Sequence, residues 1–103
     1  MTDLGEMMRQ AQEVRARFQR LQDELGEKIV EGSSGGGMVV ATANGRQELV
    51  SVRIEKEVVS PDDVGLLQDL ILSAVNDALT RSREMAASEM AKVAGGILPP
   101  GLL

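Results

Sequence analysis

Residues 38–54, MVVATANGRQELVSVRI, read as two strands joined by a tight turn. Asn44-Gly45 is a strong hairpin signal, because a type I′ turn needs positive φ at both central residues. Before it, Met38, Val39, Val40 and Ala41 form a short apolar run. After it, Val50, Val52 and Ile54 alternate with Ser51 and Arg53, the period of a half-buried strand. Upstream, Lys28 to Ser33 carries Ile29 and Val30 and reads as a first strand. Ser34-Gly35-Gly36 then turns the chain, which predicts a three-stranded antiparallel meander over residues 28–55. The glycine run Gly32 to Gly37 lacks the Lys-Ser/Thr ending of a phosphate loop and opens no helix, so it reads as a hairpin connection.

Long helical stretches flank this sheet. In residues 3–27, Leu4, Met7, Ala11, Val14, Phe18, Leu21 and Leu25 recur at spacings of three and four, an a/d seam. Thr2 or Asp3 can cap the start, and Gly26 weakens the end. The seam fits either packing against the protein's own sheet and second helix or a contact with another copy. The second helix is expected over 61–93, opened by Ser60 as N-cap, Pro61 at the first position and Asp62 and Asp63 in the first turn. Its apolar face comprises Val64, Leu67, Leu70, Ile71, Ala74, Val75, Ala78 and Leu79 and thins beyond Arg81. Gly95-Gly96 is expected to end it, and Pro99 and Pro100 forbid its continuation through an apolar tail, residues 94–103. Such a helix is about 50 Å long, against about 33 Å across a compact domain of this size. It must overhang the body. An overhanging, partly apolar helix is marginal in water alone, which predicts a homodimer.

Composition narrows the chemistry. The 103 residues, 43% hydrophobic, suit one domain with a modest core. Phe18 is the single aromatic residue, so the core is aliphatic and base-stacking platforms are lacking. Without Cys or His there is no disulfide, thiolate nucleophile, imidazole base or ordinary zinc ligation. Asp62 and Asp63 are explained as helix-start charges. Asp69 and Asp77 lie on the second helix without an obvious basic partner. No enzyme, cofactor or metal is expected. No apolar run reaches the length of a membrane span, and the first residues carry no secretory signal, so the expected address is the cytoplasm.

Net charge is −5, which opposes a polyanion partner. The charge is unevenly spread. Arg9 to Arg20 holds four Arg against Glu13 alone, a local +3, whereas Glu57 to Thr80 holds five acids and no base. On the first helix, Arg9 and Arg20 fall opposite the seam, with Arg17 beside them and Arg15 on a flank. They read either as a solvated face paired with Glu13, Asp23 and Glu24 or as a row of phosphate contacts. Two functions from different classes follow. One is a dimer gripping double-stranded DNA through Arg9, Arg15, Arg17, Arg20, Arg81, Arg83 and Lys92, salt-sensitive and weakly sequence-selective. The other is an acidic interaction scaffold whose seam and tail recruit a protein.

The order of parts also resembles a known family. Met7-Met8-Arg9-Gln10-Ala11-Gln12 precedes a glycine-rich turn and Met38-Val39-Val40. Asn44-Gly45, Val50-x-Val52-x-Ile54, Leu67-x-Asp69-Leu70-Ile71, Ala74-Val75-Asn76-Asp77-Ala78 and Leu98-Pro99-Pro100-Gly101 follow. Over essentially the whole chain this is similar to the YbaB/EbfC family of bacterial nucleoid-associated proteins. The resemblance implies an α+β fold with an α-β-β-β-α subunit in one domain spanning 1–103, and a tweezer-like homodimer. It further implies DNA binding that organises the nucleoid and affects gene expression, a cytoplasmic or nucleoid location and no cofactor. It fixes no DNA contacts through a short motif, so the Arg and Lys set rests on charge placement and helix geometry.

Overall fold

The computed structural model describes residues 3–97. The element order is α1 (Leu4–Glu27), β1 (Ile29–Ser34), β2 (Val39–Asn44), β3 (Leu49–Ile54), a single 3-10 turn (Lys56–Val58) and α2 (Val64–Ile97). The strands form an antiparallel meander in the order β1-β2-β3. The α-β-β-β-α order matches the expected α+β fold. The molecule measures 73 × 24 × 16 Å, with a radius of gyration of 20.0 Å, so the helices do overhang the sheet.

The core is small because its residues are small. Val39, Ala41 and Ala43 of β2 are fully buried against Ala74 and Ala78 of α2. Val30, Ile54, Val58, Leu70, Ile71, Val75 and Leu79 surround them, half-buried. Gly32 of β1 lets α2 approach closely: a Cβ there would lie 2.1 Å from the Ala78 amide nitrogen and 2.7 Å from the Ala74 carbonyl oxygen. Two polar ties fix α2 to β1. The Ser33 amide donates to Asp77 Oδ2 at 3.1 Å, and the Ser34 hydroxyl donates to the Leu70 carbonyl at 2.5 Å. Asp77 therefore has both a structural role and a basic partner, Arg81 at 3.3 Å, contrary to its reading as an unpartnered acid.

The hairpin between β2 and β3 is not the expected type I′ turn. The Asn44 amide donates to the Glu48 carbonyl at 3.0 Å, and the loop this bond closes has three residues, Gly45, Arg46 and Gln47, with Gln47 at the left-handed position, φ 63°. Asn44 organises it: the Asn44 carbonyl accepts the Gln47 amide, and the Asn44 side-chain oxygen accepts the amides of Arg46 and Glu48. That is a turn closed by an Asn side chain and followed by an αL residue, the usual three-residue alternative. Gly45 is needed for space rather than for φ, since a Cβ would lie 2.8 Å from Leu25. The Gly45 amide donates to the Leu25 carbonyl at 2.8 Å, and buried Ser82 donates to the Asn44 carbonyl at 2.6 Å. The loop is thus clamped between the end of α1 and the middle of α2.

Both ends of α2 depart from expectation. It begins at Val64, not Pro61, because Ser60 and Pro61 open a turn: the Ser60 carbonyl accepts the Asp63 amide and its hydroxyl accepts that of Asp62. Proline's fixed φ serves the turn, and Asp63 takes the capping role by accepting the Leu66 amide at 3.1 Å. At the other end α2 continues through Gly95 and Gly96 to Ile97. Each glycine costs about 1 kcal/mol relative to alanine, which weakens a helix without stopping it. Residues 98–103 of the expected tail, and Thr2, lie outside the described residues. In α1, Asp3 is the cap, accepting the Glu6 amide at 2.7 Å.

The α1 seam divides along its length. Leu21 and Leu25 are buried and Val14 and Phe18 half-buried, but Leu4 is 72% and Met7 54% exposed. Only the last part of the seam packs within the chain.

Candidate nucleic-acid interface

Where α1 and α2 meet, their antiparallel ends enclose a cleft of about 320 Å³. It is lined by Arg17, Arg20, Leu21 and Glu24 of α1 and by Glu89, Lys92 and Val93 of α2. Helical spacing explains the gathering. Arg17, Arg20 and Glu24 lie within one turn or two of each other on one face, as do Glu89, Lys92 and Val93. Leu21 and Leu25, anchored in the core, fix how α1 lies against α2 and so bring the two faces together.

Glu89 organises the charges. Its Oε1 accepts from the ammonium groups of both Lys28, at 3.1 Å, and Lys92, at 3.4 Å. The hydrogen bond from Lys28, then that from Lys92, holds the Glu89 carboxyl below its ordinary 4.5, outweighing a slight desolvation. Lys28 is the residue at the C-terminal cap of α1, immediately before β1. It belongs to this cluster and was absent from the sequence-based set, because its position between two elements gives no periodicity to place it on a face.

The other candidates lie apart from the cleft. Arg81 is exposed and paired with Asp77 on the β1 side. At 100° per residue it shares a face of α2 with Lys92, about 16 Å further along the helix. Arg83 donates to the Thr80 hydroxyl at 3.1 Å and lines a second hollow with Arg46 and Gln47 of the hairpin loop. Arg9 lies towards the free end of α1, beside Asp3 and Glu6. Arg15 is exposed on α1. The structure thus brings together Arg17, Arg20 and Lys92, adds Lys28, places Arg81 on the same side, and leaves Arg9, Arg15 and Arg83 elsewhere.

Along β3, on the same face that α2 packs against, apolar side chains are left uncovered. Leu49 is 47%, Val50 56% and Val52 38% exposed, and Leu72 of α2 is 61% exposed. Among the described residues, no group of carboxylates is arranged to hold a metal ion, and no helix is long and apolar enough to cross a membrane.

A family model described as the YbaB/EbfC DNA-binding family matches residues 1–97. A protein named as nucleoid-associated from Caldanaerobacter subterraneus subsp. tengcongensis is 55% identical over 100 residues, covering 97% of this chain and 90% of that protein. A protein of the same name from Moorella thermoacetica is 55% identical over 101 residues, covering 98% of this chain and 97% of its own. Among solved structures, the crystal structure of an uncharacterised Helicobacter pylori protein superposes with a TM-score of 0.80 at 25% identity. It covers 92% of this chain and 100% of that one.

Proposed function

The chain belongs to the YbaB/EbfC DNA-binding family, and from that premise we propose that it is a nucleoid-associated protein that grips double-stranded DNA as a homodimer. The observation that carries this reading is the convergence of Arg17, Arg20 and Lys92 in one cleft, with Lys28 and Arg81 on the same side of the molecule. Cations on rigid helices supply phosphate contacts, which position a protein on the duplex without reading its sequence. Binding of this kind is weakly sequence-selective. It suits organisation of the chromosome in the nucleoid, with effects on gene expression following from where the protein lies. Arg9, Arg15 and Arg83 add contacts outside the cleft. The family is a DNA-binding family, not an enzyme family.

The dimer is supported by the bare edge of β3. Exposed apolar side chains on an edge strand invite pairing with a second chain. A second copy on β3 leaves the cleft free and doubles the cations, in a tweezer-like pair of arms. The alternative reading, an acidic scaffold for a protein partner, draws on the uncovered seam at Leu4 and Met7.

The test is a titration of a labelled duplex of about 30 base pairs at several salt concentrations. Wild-type affinity should fall steeply with salt and vary little with sequence. Replacing Arg17 and Arg20 together with Ala should weaken binding to every sequence and reduce the salt slope of the dimer by about 3.6, about 0.9 for each of the four phosphates no longer neutralised. No wild-type binding at low salt would turn the assignment to the scaffold.

A further inference from the structure

We propose that Glu89 is an internal mimic of DNA phosphate: its carboxylate occupies the phosphate seat of the α1–α2 cleft and competes with the duplex for Lys28 and Lys92. The inference rests on the DNA-binding reading of this cleft and adds a regulator to it.

The geometry is that of a bound anion. One carboxylate oxygen lies between two ammonium groups, at 3.1 and 3.4 Å, in a cleft that also holds two guanidiniums. A phosphate oxygen meets the same set of donors when lysines and arginines grip a backbone. Exposure fits as well: the Glu89 side chain is 22% exposed, whereas Lys28 and Lys92 are 44% and 70% exposed. The anion sits at the floor and the lysines stand at the rim, where a larger anion could draw them away. Glu24 lines the same cleft but makes no ion pair among the described residues, so the competition centres on Glu89. A chain of net charge −5 that binds a polyanion gains selectivity from such a device. Weak or isolated anions fail to displace Glu89, whereas a duplex, offering several phosphates to the arms at once, succeeds.

The experiment compares the wild-type protein with Glu89→Gln, which keeps the shape and removes the charge. Glu57→Gln makes the same charge change at the exposed turn far from the cleft. Each is titrated with the same duplex across a salt series. Glu89→Gln should bind about sixtyfold tighter at 0.1 M salt, with a salt slope steeper by about 1.8, the increment for one more neutralised phosphate in each protomer of the dimer. Glu57→Gln should stay within about twofold of wild type. Adding Lys92→Ala to Glu89→Gln should remove most of the gain.

Wild-type binding matched by Glu89→Gln in both affinity and slope would overturn the mimic and leave the DNA-binding reading intact. So would weaker binding, or tighter binding with an unchanged slope. Binding by Glu89→Gln alone would support the mimic and overturn DNA binding as the wild-type function. Binding by neither protein would overturn both.

Discussion

Along β1 the sheet is sealed by α2, whereas along β3 it is left bare. On the β1 side, Gly32 admits the helix backbone, Asp77 and the Leu70 carbonyl take up Ser33 and Ser34, and Glu89 holds Lys28. On the β3 side, Leu49, Val50 and Val52 remain exposed, and Val50 is the extra residue of a bulge between the Thr42–Ser51 and Ala43–Leu49 pairs. Both edges belong to one sheet, so topology does not explain the difference. It comes from where α2 lies and from what each strand offers it: Gly32, Ser33 and Ser34 on β1, beyond an Ile29 that stays 53% exposed, and branched apolar residues on β3. The contrast teaches that a chain with a small aliphatic core can complete one side internally and leave the other to assembly. A bulge with exposed valines is a poor surface for an isolated monomer and a usable one for a dimer.

The comparison breaks most severely at Gly32. Gly32→Ala places a methyl against backbone atoms that cannot swing aside, so it should destabilise the fold by about 3 kcal/mol or more, the upper end of overpacking. A urea midpoint series checks this. Gly36→Ala gives the contrast: its Cβ meets nothing within 4 Å, but its φ is +67°, so the cost should be about 1 kcal/mol, from backbone strain alone. Equal losses at the two sites would mean that α2 does not seal β1.

On the β3 side the effect should fall on assembly. Val50 and Val52 are each roughly half exposed, and covering the rest of each is worth about 1 kcal/mol. Val50→Lys with Val52→Glu should therefore raise the dimer dissociation constant thirtyfold to a hundredfold, about 2–3 kcal/mol. A mass measurement should read close to 11.0 kDa for the variant, against twice that expected for the proposed wild-type dimer. Glu31→Lys, exposed on β1, should leave the dimer unchanged. Loss of the dimer from the β1 variant and not from the β3 pair would reverse the assignment of the two edges.

Much of this was legible in the residues. The meander, the first helix and the overhang of the second follow from period and length, although the alternation of Val50, Val52 and Ile54 marked the strand without showing the bulge that leaves Val50 unpaired. The departures share a cause: a side chain served a partner distant in sequence. Asn44-Gly45 has the letters of a type I′ turn, but Leu25 and Ser82 hold the loop and leave the left-handed position to Gln47. Ser60-Pro61 has the letters of a helix start, yet Asp63 caps. The site was legible as a set of cations but not as a cleft. Period placed Arg17 and Arg20 on one face, whereas the cleft forms because Leu21 and Leu25 dock α1 against α2. Lys28 and Glu89, 61 positions apart, share no pattern that could have paired them.

The smallest expected effect isolates the charge tie on the β1 side. The Glu89 carboxyl is held below 4.5 in the folded chain by Lys28 and then Lys92. A group with a lowered folded-state value contributes stability that is complete above its unfolded value and is lost as pH falls through the lowered one. The wild type should therefore be slightly more stable than Glu89→Gln at neutral pH. That margin should hold down to about pH 5.5, shrink below 4.5 and vanish once the carboxyl is protonated. Urea midpoints of the two proteins across this range measure it. The margin stays small because the tie is exposed and screened by solvent. A margin that grew on acidification would mean that Glu89 is destabilised by its surroundings, and the β1 side would then owe its closure to packing at Gly32 and the bond to Asp77 alone.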